Sequence, residues 1–263
     1  MKTLPFITLA TIAPALLVVA PAPFASAAHI DMLLFRQGNS LRLAGYDFGG
    51  NPPVLTDYRV FAGSLERIEA APGLVFGDTP GWNALSLANQ LPSGASTLPG
   101  RGVVSVRGRV LPSAFGGVNL AHWSGVGPIR FTAPAGGEVM EHAYGPGVVV
   151  HDASTSSTGW LSLGSTSSAG GMHRHPSFEI YGNAARDPLG ADRPADGVYL
   201  FALSASMASL EESNVAFVVL GVGVDATTLE QARRHVELIV PGAPSLSLLF
   251  AITALSAPRR RRA

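Results

Sequence analysis

Short runs in which apolar and polar residues alternate, with Gly, Pro, Asn and Ser between them, recur through the middle of the chain and most limit its fold. His29 to Phe35, Ser40 to Phe48, Val103 to Val110, Gly147 to Asp152 and Ser177 to Tyr181 have this form. A period of two sends successive side chains to opposite faces of an extended strand, so these runs predict half-buried strands. Gly197 to Ser204 and Val215 to Val222 are more continuously apolar and read as core strands. Parallel βαβ units need helices between their strands, and the intervening sequence offers none. The expected fold class is all-β: a β-sandwich of mostly antiparallel strands with one C-terminal α-helix.

That helix is expected at about residues 226–239. Thr227 and Glu230 have capping-box spacing, and Leu229, Ala232, Val236 and Ile239 fall on one face, with Arg233 and Arg234 opposite. It is expected to pack over the sandwich edge. Thr155 to Ser157 and Ser165 to Ala169, with Gly170-Gly171, form a Ser/Gly-rich connection around Trp160, which reads as a mobile loop. No internal repeat of fixed period is present.

Composition narrows the function classes. The chain has 263 residues, of which 47% are hydrophobic and 14% charged, enough for one large β domain or two small ones and too apolar for wholesale disorder. There are no cysteines, so disulfides and thiolate zinc sites are excluded. Formal net charge is zero, but Lys2 and Arg259 to Arg262 sit at the two ends. Between them remain 13 basic and 18 acidic residues, a net charge of about −5. Such a body lacks the basic stripe that nucleic-acid binding requires.

Residues 1–27 read as a removable secretory signal, with Lys2, an apolar run from Leu9 to Ala20 and small residues at Ala25-Ser26-Ala27. Pro14, Pro21 and Pro23 interrupt the run and argue against an uncleaved anchor. Cleavage is expected after Ala27, with Ala28 the alternative. Residues 28–240 form the expected sandwich domain. Residues 241–263 read as a sorting or anchor tail: Pro241-Gly242-Ala243-Pro244-Ser245, an apolar stretch from Leu246 to Ala257, then Arg259 to Arg262. The stretch falls short of the ~20 residues a membrane-spanning helix needs, and the positive-inside rule would keep its arginines cytoplasmic.

Gly170-Gly171-Met172-His173-Arg174-His175-Pro176 carries the most chemistry. Two histidines one residue apart share a strand face, so His173 and His175 can converge on one metal ion, with zinc or copper the suitable elements. Pro176 implies an edge strand or a strand end. A solvent-exposed pair without a ligand role is the alternative. His29, His122, His142 and His151 are further candidates. His29 becomes the first residue if cleavage follows Ala28, and an N-terminal histidine can chelate copper. Glu141-His142 and His151-Asp152 place neighbours on opposite strand faces, and both histidines are expected at the surface. His235 lies toward the polar side of the predicted helix. Asp187, Asp192 and Asp196 lack EF-hand spacing and read as a solvated loop. No Gly-x-Ser-x-Gly elbow, His-Glu-x-x-His, phosphate loop or dinucleotide fingerprint is present.

The tail resembles the PEP-CTERM sorting signal of bacterial exported proteins, which a dedicated membrane enzyme recognises and usually removes, although Pro-Gly-Ala-Pro stands where Pro-Glu-Pro is usual. Ala28-His29-Ile30-Asp31, Arg59-Val60-Phe61, Gly77-Asp78-Thr79-Pro80-Gly81-Trp82, Gly171-Met172-His173-Arg174-His175, Asp196-Gly197-Val198-Tyr199-Leu200 and Glu212-Ser213-Asn214 follow in order. The set resembles exported PEP-CTERM-type proteins of planctomycetes and cyanobacteria, some linked to the zinc-uptake regulator Zur. Arg101 to Thr158 has no counterpart in the resemblance.

The resemblance implies an all-β surface protein that handles metal, with His29, His173 and His175 as its matching ligands. The expected function is metal binding at the cell surface, zinc first and copper second, with binding favoured over catalysis. The expected partners are the metal ion, the processing enzyme and, through the tail, the membrane. The alternatives are a metal-free structural protein of the envelope or matrix, and a copper-dependent enzyme using His29 as an N-terminal ligand.

Overall fold

Gly38 starts the fold by closing its first hairpin. It takes φ +60° in the first central position of a two-residue connection, where a type II′ turn places glycine. The computed structural model describes residues 30–240, so the predicted signal, His29 and the predicted tail lie outside the described residues.

Sixteen strands and one α-helix are found among the described residues. In chain order they are β1 (Ile30–Gln37), β2 (Ser40–Asp47), β3 (Val54–Leu55), β4 (Val60–Arg67), β5 (Leu74–Gly77) and β6 (Trp82–Ala84). There follow β7 (Ala95–Ser96), β8 (Val103–Arg109), β9 (Ala121–Trp123), β10 (Val139–Tyr144), β11 (Gly147–His151) and β12 (Trp160–Ser165). The last are β13 (Met172–Arg174), β14 (Ser177–Tyr181), β15 (Gly197–Met207), β16 (Ala216–Val222) and α1 (Ala226–Ile239).

The strands form two sheets, as the all-β expectation requires. A six-stranded sheet runs β13-β6-β1-β2-β3, with β7 also on β1. A ten-stranded sheet runs β11-β10-β14-β5-β4-β16-β15-β8-β12, with β9 on β15. Its outermost strands β11 and β12 meet, so it curls nearly into a barrel. Pairing is antiparallel except between β1 and β6 and between β4 and β16.

The main core lies between the sheets. Met32, Leu34 and Trp82 of the smaller sheet share it with Phe61, Met140, Phe178, Phe201 and Leu203 of the larger. Each such fully buried side chain contributes about 1.5–3 kcal/mol through the water it no longer contacts. The other face of β15 and β16, through Val198, Leu200, Phe217 and Val219, packs with Ala232 and Val236 of α1. Both faces of these strands are therefore covered, which explains their unbroken apolar sequences. A third, small cluster of Leu33, Phe35 and Ala44 covers the outer face of the six-stranded sheet. That leaves β1 buried on both sides.

The helix occupies the expected residues, but its cap does not. Asp225, not Thr227, caps the N-terminus, accepting from the Thr228 N–H at 2.7 Å. Glu230 instead pairs with Arg233 and Arg234. Ile239 is exposed, and Arg233 lies partly buried with its guanidinium 5.6 Å from the Tyr58 ring. No helix among the described residues is long and apolar enough to cross a membrane. Trp160, expected in a loop, opens β12 and stacks under Arg107 at 4.5 Å.

Candidate metal centre

Alternation along β1 fixes the site. Met32 and Leu34 point into the main core, so Asp31 shares the opposite face with Leu33 and Phe35. Leu33 lies in register with Asn83 of the parallel strand β6, and Asn83 with His173 of β13. Asp31, Asn83 and His173 therefore come from three adjacent strands on one sheet face. Asp31 is fully buried, and a buried carboxylate is costly unless its oxygens are matched by donors or positive charge. Here the Gly81 N–H donates to Oδ1 at 2.7 Å and the Asn83 amide to Oδ2 at 2.6 Å.

Above that carboxylate the two imidazoles converge. His173 Nε2 and His175 Nε2 are 2.9 Å apart, and they lie 3.4 Å and 3.9 Å from Asp31 Oδ2. One ligand atom from each residue falls within 4.8 Å of the others. A zinc ion with bonds of about 2.0–2.1 Å holds tetrahedral ligand atoms roughly 3.3 Å apart. The cluster therefore has the scale of a coordination sphere.

The histidine pair converges by a different route from the one expected. His173 belongs to β13, an edge strand of only three residues, whereas His175 lies beyond the strand end, just before Pro176. A backbone contact orients it: Nδ1 is 2.9 Å from the Asp78 carbonyl. That bond places the His175 proton on Nδ1 and leaves Nε2 as a lone pair facing the cluster. Gly81 makes room for the ring. A Cβ at this position would lie 2.7 Å from His175 Cε1 and 2.9 Å from Nε2. On the other flank, the Phe48 ring is 5.8 Å from that of His173.

Exposure divides the site. The Asp31 side chain is 0% exposed, while His173 and His175 are 51% and 32% exposed. The carboxylate is the buried floor and the imidazoles are the rim.

The other histidines lie elsewhere. His122 Nε2 meets the Asp196 carbonyl at 3.1 Å, its ring packs on Tyr199, and burial lowers its pKa. His142 and His151, expected at the surface, are fully buried. Their rings contact Phe178 and Phe201, and none of their ring nitrogens has a hydrogen-bond partner among the described residues. Burial holds His142 down to about 3, helped by repulsion from His151. Burial holds His151 at about 4, offset in part by the charge of Asp152. Both are neutral core residues at neutral pH. His235 is half-buried on α1. Of the acidic loop, Asp196 pairs with Arg67 at 2.6 Å, and Asp192 accepts from Asn183.

Asp31 is the site residue that sequence reasoning did not single out. Its signal was a lone carboxylate opening the apolar run Met32 to Phe35, two residues after His29. No protein-family model matches the chain, and no curated protein matches it either.

Proposed function

We propose that this is an exported, surface-associated protein that binds a divalent metal ion, zinc first, through Asp31, His173 and His175. His29 is the fourth candidate by sequence and lies outside the described residues. The observation that carries this reading is the convergence of two imidazole nitrogens on a buried carboxylate oxygen (2.9, 3.4 and 3.9 Å). Supporting it, the Asp78 carbonyl fixes one imidazole in the tautomer a metal needs, and Gly81 leaves the ring space.

Export and the sorting tail belong to the same proposal. The signal-like first 27 residues, the arginine-ended tail and the resemblance to PEP-CTERM-type proteins motivate them. Copper is the second metal.

A second reading, metal-assisted catalysis, is favoured by one feature. Two imidazoles and one carboxylate match the three-ligand set of catalytic zinc sites, which keep their fourth position for water. No positioned general base accompanies them in the sequence motifs, so binding is preferred.

Equilibrium dialysis of the purified protein against zinc and against copper tests the proposal. One tight site per chain, lost in His173→Ala/His175→Ala, is expected. Unchanged stoichiometry in that double variant would overturn it and favour a structural envelope protein.

A further inference from the structure

A cavity of about 300 Å³ opens at the edge of the six-stranded sheet and shares no lining residue with the metal cluster. Strand register supplies one wall. Arg42 of β2 lies opposite Phe35 of β1, and Gln37 follows Phe35 by two residues, so all three belong to the outer sheet face. At Leu43 the edge of β2 faces no strand, because β3 pairs only with Gly45 and Tyr46. Asn214 stands in for one: its amide accepts from the Leu43 N–H at 2.8 Å and donates to the Leu43 carbonyl at 3.1 Å. Asp57 and Arg59, between β3 and β4, and Pro92 complete the lining.

The charges in this cavity do not balance. The Val215 carbonyl accepts from Arg59 Nε at 3.1 Å and from Nη2 at 3.0 Å. That contact fixes the guanidinium and leaves Nη1 with no hydrogen bond among the described residues. Burial lowers the pKa of this arginine. Arg42 is exposed and makes neither an ion pair nor a side-chain hydrogen bond among the described residues. Asp57 is the one acidic lining residue, and it pairs with neither arginine. Two guanidiniums against one carboxylate leave a charge of about +1, although the chain between its two ends carries about −5.

A half-buried charge without a counter-ion is costly, and one negative charge balances this site. The planar fork of arginine matches a carboxylate. An inorganic anion would leave the apolar part of the lining against water, whereas Phe35, only 6% exposed, and Pro92 suit a hydrocarbon body.

We propose that this cavity binds a small organic monocarboxylate, its carboxylate held by Arg42 and Arg59 and its apolar body resting on Phe35 and Pro92.

Ligand-observed NMR titration of the full chain tests this, with benzoate, benzyl alcohol, acetate and inorganic phosphate as probes. Benzoate should bind saturably at one site, with the same midpoint in metal-free and zinc-loaded protein. Benzyl alcohol and acetate, lacking the charge and the ring respectively, should each bind more weakly. Arg42→Gln should raise the benzoate midpoint about tenfold or more, the loss of one charge-assisted hydrogen bond. Asp57→Asn should lower it, because the competing carboxylate is gone. Both side chains are exposed, so neither variant disturbs the core. Absence of saturable benzoate binding, tighter binding of phosphate than of benzoate, or an unchanged midpoint in Arg42→Gln would each overturn the inference. A benzoate site lost in His173→Ala/His175→Ala would also overturn it, by placing the anion at the metal cluster.

Discussion

His173 Nε2 and His175 Nε2 approach to 2.9 Å although only His173 belongs to a strand. With His175 Nδ1 donating to Asp78, its Nε2 is an acceptor, so the proton between the two rings belongs to His173. Metal binding requires His173 to move that proton to Nδ1, which its half-exposed ring can do at the solvent side. His175 is pre-set, and His173 is the adjustable ligand.

Gly81→Ala should therefore damage the site through His175. Its Cβ would sit 2.7 Å from the ring and 3.0 Å from the Arg174 carbonyl, so the ring must leave its place. Zinc affinity should fall at least tenfold, with a loss of about 1–3 kcal/mol in urea unfolding from overpacking. Unchanged affinity would show that the ring position is unimportant.

Asp31→Asn keeps the shape and removes the charge. Its amide nitrogen must face either the Gly81 N–H or the Asn83 amide, donor against donor. A cost of about 1–3 kcal/mol is expected in the metal-free protein. Zinc affinity should drop roughly 100-fold or more, comparable with or beyond the loss of a supporting partner. Isothermal titration with zinc measures the second effect independently of the first.

The buried histidines make the protein acid-labile. His142 and His151 titrate at about 3 and about 4 in the fold, against 6.5 in an unfolded chain. Between those values the unfolded chain binds more protons, so stability is full above about pH 6.5 and falls as pH drops toward 4 and then 3. Each histidine should remove about 1.4 kcal/mol per pH unit in that window. His142→Phe should halve the slope of the urea midpoint against pH between 6 and 4, roughly, because one proton uptake is removed. An unaltered slope would contradict neutral burial of this ring.

Asp225→Ala should lower the thermal midpoint, whereas Thr227→Ala should leave it nearly unchanged. The contrast follows from the 2.7 Å bond that Asp225, and not Thr227, makes to the first turn of α1. Thermal melts followed by circular dichroism distinguish the two.

Much of this molecule was legible in its sequence. The helix occupies the residues its apolar face marked, and the continuously apolar segments are the doubly covered strands β15 and β16. The His-x-His pair does converge, and Pro176 does follow the end of a short edge strand.

What failed to show has physical reasons. Asp31 gains its meaning only when β1, β6 and β13 assemble, joining residues far apart in sequence through Asn83. His142 and His151 were misplaced because local alternation was ambiguous. In β11, Val148 is exposed and His151 buried, so apolarity alone pointed the wrong way. Glu141 faces out to Arg186 while His142 turns in onto Phe178. Curling of the larger sheet, not local pattern, decides which face is interior.

X-ray absorption at the zinc edge of the loaded protein tests the central claim most directly. The expected spectrum carries the multiple-scattering signature of two or three imidazoles with the remaining ligands oxygen, and His173→Ala/His175→Ala retains no stoichiometric zinc. A shell of oxygen alone, or one unchanged in that variant, would contradict the assignment of Asp31, His173 and His175 as a metal centre.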